Sequence, residues 1–304
     1  MLPLKAVMAV LLVADHLTFH VDAGWLRPFR EIGAPIVSIF FFISGFGLMR
    51  SYSTRGASYL DGFFRKRIWK VLLPALVALA LFYIFDWNWS RDFIGEFRDL
   101  FTKGQPILPY SWFVVAIILF YVSFWLIFRY LPEKLHLAGL VSAGIILGGA
   151  AIALGYDRCW WVCNLAFPAG AFYAKYEPGI SQKWLSDGTK ALIAIGAMVA
   201  GFLVFYLPGN QYLFPVCYVF IPLAVAMTVS VLPLEKIDWK PVAFIGGIAY
   251  EIYLCQGIAM EFLHSGTVCL ASVPVYITGV YILTIALAWS VKAICTLLTE
   301  RGKQ

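Results

Sequence analysis

The sequence predicts an all-α, polytopic membrane helix bundle of about ten transmembrane helices. Hydrophobic residues make up 62% of the chain and charged residues only 13%, whereas a soluble domain is about 45–50% apolar and about 25% charged. Mean hydropathy is +0.82. The apolar residues also come in stretches near the ~20 residues that a helix needs to cross a bilayer. Residues 1–304 read as a single transmembrane domain with no fused soluble domain.

Ten spans are expected near 5–21, 33–50, 70–87, 110–130, 137–155, 159–175, 190–207, 212–232, 242–263 and 272–296. The first opens MLPLKAVMAVLLV and reaches Asp15 without a small-x-small cleavage site, so a retained helix is expected rather than a signal peptide. Ser44 and Gly45 break the phenylalanine-rich second span. Gly144 and Gly148 form a small-xxx-small pair in the fifth, a helix-packing device. Only YDRC, Tyr156 to Cys159, parts the fifth span from the sixth.

Lysine and arginine set the expected orientation. With the N-terminus inside, 17 of the 23 basic residues fall on one side, Lys5 and the run from Arg50 to Lys70 among them. Arg27, Arg30, Arg91, Arg98, Lys103 and Arg158 fall on the other. An N-in, C-in topology follows, and it accounts for the net charge of +6 without nucleic acid as a partner. The six cysteines form no CxxC pair and read as buried small hydrophobes. Cys159 and Cys269, near outward helix ends, are the pair that a disulfide could join.

The longest outward loop carries its own pattern. Phe93, Ile94, Phe97, Leu100 and Phe101 recur at helical spacing among charged residues. Ser90 is the expected N-cap and Gly104 the expected stop. This predicts an amphipathic helix near 90–103 lying in the outer interface, either sealing the bundle or walling a cleft.

Ionisable residues inside a span cost roughly 2.5–3.5 kcal/mol each on insertion scales, so each is a site candidate. Lys5 and His16 are eleven residues apart, which puts them on nearly one helical face, roughly 16 Å apart along the axis. His20 shares a face with His16, and Asp15 is offset by about 100°. Three readings stay open for this stretch. It could mark the outer end of the helix, hold a metal through His16 and His20, or supply a general base, since a histidine near neutral pKa suits deprotonation of a hydroxyl. Further along, Arg65, Lys66, Arg67 and Lys70 dominate a loop with a single acid, Asp61. Positive-inside topology alone justifies several of these charges. The excess also suits phosphate groups of a cofactor or of lipid head groups.

Five motifs, in order, resemble the acyltransferase 3 family, integral membrane O-acyltransferases that modify glycans. That family has an arginine, ten residues and a histidine in its first helix; here Lys5 and His16 hold that spacing. Its FFxxSGF pattern matches Phe41, Phe42, Ser44, Gly45 and Phe46, and its RxxR element matches Arg67 and Lys70. A WF pair corresponds to Trp112 and Phe113. IGGIAYEIYLCQ resembles its G-x-x-SYxIYLxH element, with Ala249 for serine and Gln256 for histidine.

The resemblance implies transfer of an acyl group, most often acetyl, from cytoplasmic acyl-CoA to a hydroxyl of a lipid-linked or extracytoplasmic glycan. His16 would be the general base or carry the acyl group, and Lys5 would bind or stabilise negative charge. Arg65, Arg67 and Lys70, with Ser44, would hold coenzyme A. Asp15, Trp112, Tyr250, Glu251 and Tyr253 would line the acceptor site, with a structural ion pair as the other reading of Glu251. No metal is expected. The implied setting is a bacterial cytoplasmic membrane, with membrane lipids as neighbours. A proton-coupled transporter or flippase for a glycan or lipid is the competing class, using intramembrane His and Glu as relays.

Overall fold

The computed structural model describes residues 2–86, 92–183, 187–206, 211–231, 239–264 and 272–301. Among them there is helix and no strand. In chain order the α-helices are α1 (Leu2–Leu17), α2 (Gly33–Arg55), α3 (Trp69–Asp86), α4 (Phe93–Thr102), α5 (Trp112–Tyr130), α6 (His136–Ala153), α7 (Cys159–Val162), α8 (Ala166–Lys183), α9 (Asp187–Tyr206), α10 (Phe214–Val231), α11 (Lys240–Gly247), α12 (Ala249–His264) and α13 (Val273–Arg301). A π-helical turn, Phe64–Ile68, precedes α3.

Five of the described segments are long and apolar enough to cross a membrane, or six if α11 and α12, bent by 73°, make one span. Three of the expected spans are shorter or interrupted. The first stops at Leu17, where Thr18 Oγ1 donates to the Asp15 carbonyl at 2.6 Å and the chain turns. The sixth is interrupted between Val162 and Ala166. The ninth bends at Ile248, just after two glycines. The break expected at Ser44 and Gly45 does not occur, because α2 runs through both.

The chain packs as two compact units. The first comprises Met1–Gly33, Trp69–Val114 and Glu235–Gln304; the second comprises Ala34–Ile68 and Val115–Leu234.

In the first unit α12 is the hub, packed against α1, α3 and α13. Every residue from Glu251 to Met260 is buried, as an all-round core helix requires. α1 also lies against α11. A Cβ at Gly246 would sit 2.3 Å from the Leu2 carbonyl oxygen, so only glycine allows this approach. α4 is amphipathic as expected, but its N-cap is Asp92, whose carboxylate accepts from Gly95 N–H at 2.9 Å; Ser90 lies outside the described residues. Gly104, at φ +65°, ends the helix, and Gln105 N–H reaches back to the Asp99 carbonyl at 3.3 Å. The Lys103 ammonium, 2.7 Å from Asp99 and four residues on, holds that carboxyl below its ordinary value. Phe93, Ile94, Phe97 and Phe101 are all exposed. Tyr83 of α3 anchors the helix through Glu96 at 3.0 Å and the Phe93 ring.

In the second unit α2 and α8 touch backbone to backbone. A Cβ at Gly45 would lie 2.0 Å from the Phe167 carbonyl oxygen, and one at Gly170 would lie 2.0 Å from the Phe42 carbonyl oxygen. The contact is reciprocal: each helix offers a glycine three residues after the phenylalanine that the other helix's glycine meets. Gly144 and Gly148 of α6 face Asn164, in the gap between α7 and α8, and so make room for the interrupted segment. Phe120 and Phe167, stacked 4.8 Å apart, are fully buried.

Candidate active site around His16

His16 closes α1 with only 9% of its surface exposed. Its ring stacks on Tyr110 at 4.0 Å between centroids and an interplanar angle of 12°. Tyr110 Oη in turn bonds His20 Nε2 at 2.9 Å, and the His264 ring stands 6.2 Å from His20.

Tyr110 is held there against its own backbone preference, since φ is +63°, a region that bulky residues seldom adopt. Tyr253 Oη donates to the Tyr110 carbonyl and receives Phe113 N–H at 3.3 Å. Gly257 completes the clamp, because a Cβ there would meet Pro109 at 2.6 Å. The Gln256 carboxamide, wholly buried, borders the imidazole and donates Nε2–H to the Tyr253 carbonyl at 3.2 Å. His16 Nδ1 and Gln256 Oε1 are buried and carry no hydrogen bond, as is also true of Tyr59 Oη, His136 Nδ1, Asn164 Oδ1 and Thr284 Oγ1.

The other expected residues of this unit divide into those near the imidazole and those bound elsewhere. Tyr253 supports Tyr110 and hence the ring stacked on it. Asp15, next in sequence to His16, turns its carboxylate to the start of α2: Oδ1 accepts Gly33 N–H at 3.1 Å, with the Ile32 and Glu31 N–H groups also directed at it. Glu251, 4% exposed, pairs with Lys292 of α13 at 3.0 Å, which is the structural ion pair among the expected alternatives. Tyr250 Oη donates to the Val71 carbonyl at 2.8 Å. Lys5 is half-buried on α1, Trp112 is half-buried beside Phe113, and Lys70 is exposed at the start of α3.

Arg65, Arg67 and Ser44 belong to the second unit. The π-helical turn presents Arg65 to solvent and turns Arg67 inward. Arg67 Nη2 donates to Ser51 Oγ at 3.0 Å, and its guanidinium lies 5.4 Å from the Tyr59 ring centroid. Arg55 approaches the same ring at 5.8 Å, so two cations share one aromatic face system. Ser44 lies beside Tyr121. The same unit holds a cavity of about 440 Å³, largely apolar, lined by Phe42, Phe172, Tyr173 and Met227 among others.

Sequence reasoning did not single out Tyr110, and it noted Gln256 only as a departure from a pattern. The signal for Tyr110 was a hydroxyl-bearing aromatic wedged between Pro109 and Ser111 just before the WF pair. Its left-handed backbone is not visible in composition or periodicity. Among the described residues no group of three or more His, Cys, Asp or Glu side chains is arranged to hold a metal.

Apolar helices of membrane-crossing length define a multi-pass membrane protein, and one of its buried imidazoles keeps an unbonded nitrogen. The family model for an acyltransferase domain, that of the acyltransferase 3 family, matches residues 4–293, and the chain belongs to this family of membrane acyltransferases. Comparison with curated proteins and with solved structures returned no match.

Proposed function

We propose that the protein is an O-acyltransferase of a bacterial cytoplasmic membrane, oriented N-in and C-in across ten spans. It moves an acetyl group from cytoplasmic acetyl-CoA, or another acyl group from its acyl-CoA, to a hydroxyl of a lipid-linked or extracytoplasmic glycan. The observation that carries this reading is His16: a buried imidazole with unused bonding capacity in a chain of an acyltransferase family.

In the proposed reaction His16 accepts the proton of the acceptor hydroxyl as its oxygen attacks the thioester carbonyl carbon. The C–S bond then breaks, and the coenzyme A thiolate leaves with the proton from the imidazolium. General base catalysis of this kind contributes about 10²–10⁴-fold. Lys5 would stabilise negative charge, and Arg65, Arg67 and Lys70, with Ser44, would bind coenzyme A phosphates. Arg67, fixed by Ser51 and Tyr59, fits that role because its planar fork suits phosphate oxygens. Tyr253 and Trp112 would contact the acceptor.

The test is purified protein in lipid nanodiscs with labelled acetyl-CoA and candidate glycans, read by mass spectrometry of the product. Transfer should fall about 10²–10⁴-fold in His16→Ala. Transfer that survives in that variant would remove His16 from the role. Proton-coupled glycan flux without any acyl transfer would instead establish the transporter reading.

A further inference from the structure

We infer that the cavity of the second unit binds one acyl chain of a membrane phospholipid whose head group carries both a phosphate and a primary ammonium. Protein interiors are close-packed, with few voids larger than a water molecule, and an apolar cavity of about 150 Å³ already takes up benzene. At about 440 Å³ this one has the size of a ligand site. Its shape suits a chain. α8 and α10 run side by side in the same direction: Trp161, just before α8, stacks on Tyr212, just before α10, at 5.9 Å, and further along Tyr173 Oη donates to Met227 Sδ at 3.9 Å. The lining residues extend from Pro168 to Glu177 on α8 and from Val219 to Ser230 on α10, roughly 14 and 16 Å of helix. One leaflet of a ~30 Å hydrocarbon core is about 15 Å deep. The slot therefore has the length of a single leaflet's acyl chain. Val141, Phe172 and Tyr176 line it and are exposed, so a chain can enter sideways from the bilayer.

The charged lining residues collect at one end and set the head group. Glu177 and Ser230 each lie about one turn beyond the Tyr173–Met227 contact. Lys190 joins them from the first turn of α9, because α9 starts at Asp187, close behind the end of α8 at Lys183. Lys175 adds a second cation beside the rim, its ammonium 5.9 Å from the Tyr176 ring centroid. The lysines suit phosphate oxygens as point charges, and a carboxylate suits the N–H donors of a primary ammonium. A polyprenyl phosphate, a fatty acid or an acyl-CoA would bring only negative charge against Glu177. A zwitterionic phosphate–ammonium head answers both signs at once, while its acyl chain fills the apolar length behind them.

The test titrates the full chain, purified in detergent, with dioleoyl phosphatidylethanolamine or dioleoyl phosphatidylglycerol and counts bound lipid by native mass spectrometry. The native protein should hold one phosphatidylethanolamine per chain, about tenfold more tightly than phosphatidylglycerol. Glu177→Gln should erase that preference, and Lys190→Gln should weaken both lipids about tenfold. Ala169→Phe fills the slot from its wall and should abolish the one-to-one complex. Val141→Trp narrows the rim from an exposed position, so it should weaken binding in a protein that still folds even if Ala169→Phe does not. Phosphatidylethanolamine held at native strength in Val141→Trp would place the lipid elsewhere and overturn the inference. Equal affinity of the native protein for the two lipids would overturn it as well, and so would displacement of the bound lipid by equimolar oleoyl-CoA, which would give the cavity to an acyl donor.

Discussion

The motif residues of the two units differ in whether their bonding capacity is already used. In the second unit the FFxxSGF stretch is given over to packing. Phe41 is fully buried and the Gly45 backbone touches Phe167. In the first unit the polar residues near α12 divide within a few residues of one another. Asp15, Glu251 and Tyr253 have their partners, whereas His16 and Gln256 each keep one buried atom unbonded. Membership of a motif therefore does not by itself mark chemistry, and an unbonded buried atom calls for an explanation. Asp15 and Glu251, with their partners in place, should lose stability when altered, while the folded fraction keeps its turnover.

The largest such loss is expected at the α12–α13 ion pair. Glu251 is 4% exposed and Lys292 49%, so the two partners are not equivalent. Lys292→Met strands a carboxylate in the core and should cost about 3 kcal/mol. Glu251→Gln leaves an ammonium that still reaches a polar boundary and should cost about 1 kcal/mol or less. Thermal unfolding of both variants in one lipid composition reads the asymmetry. Equal losses would mean that Glu251 finds another cation, and loss of transfer at full stability would move Glu251 into the site.

Next is Gly45→Ala. Its Cβ would fall 2.0 Å from a backbone oxygen that no rotamer can move, so α2 and α8 must separate. Overpacking of this kind costs about 1–3 kcal/mol. The expected readout is a lower unfolding midpoint with kcat per folded molecule unchanged. A stable Gly45→Ala protein that no longer transfers acetyl would show that this motif glycine makes room for substrate rather than for α8.

Helix existence was legible in the apolar runs because bilayer length dictates their size, and each of the ten stretches contains helix. The interruptions were less so. Ser44–Gly45 looked like a break, yet glycine there serves a close helix crossing, whereas the bend at Ile248 follows a Gly-Gly pair that the hydropathy pattern passes over. The site was legible where chemistry is local: His16 stood out as an ionisable residue in an apolar helix. Its partners did not, because Tyr110 and Gln256 lie 94 and 240 residues away and only the fold joins them. The partners of Asp15 were hidden for the same reason, since they begin sixteen residues downstream with Glu31.

Asp15 is the place where the contrast is drawn most finely, since its neighbour is the proposed base. Its carboxylate accepts Gly33 N–H at 3.1 Å, with the Ile32 and Glu31 N–H groups also turned toward it. A side chain that satisfies the donors opening a helix contributes about 0.5–2 kcal/mol. Asp15→Ala should lose that much, whereas Asp15→Asn keeps an acceptor oxygen and should lose less than half of it. Gly33 leaves no space for a compensating shift, since even a Cβ there would come within 2.5 Å of Asp15 Oδ2. If Asp15 only caps, kcat of the folded protein and KM for the glycan stay within about twofold in both variants. If the Asn variant is as stable as the native protein but raises KM for the glycan tenfold, the carboxylate contacts the acceptor as well, and partnered residues would have to be counted as part of the site.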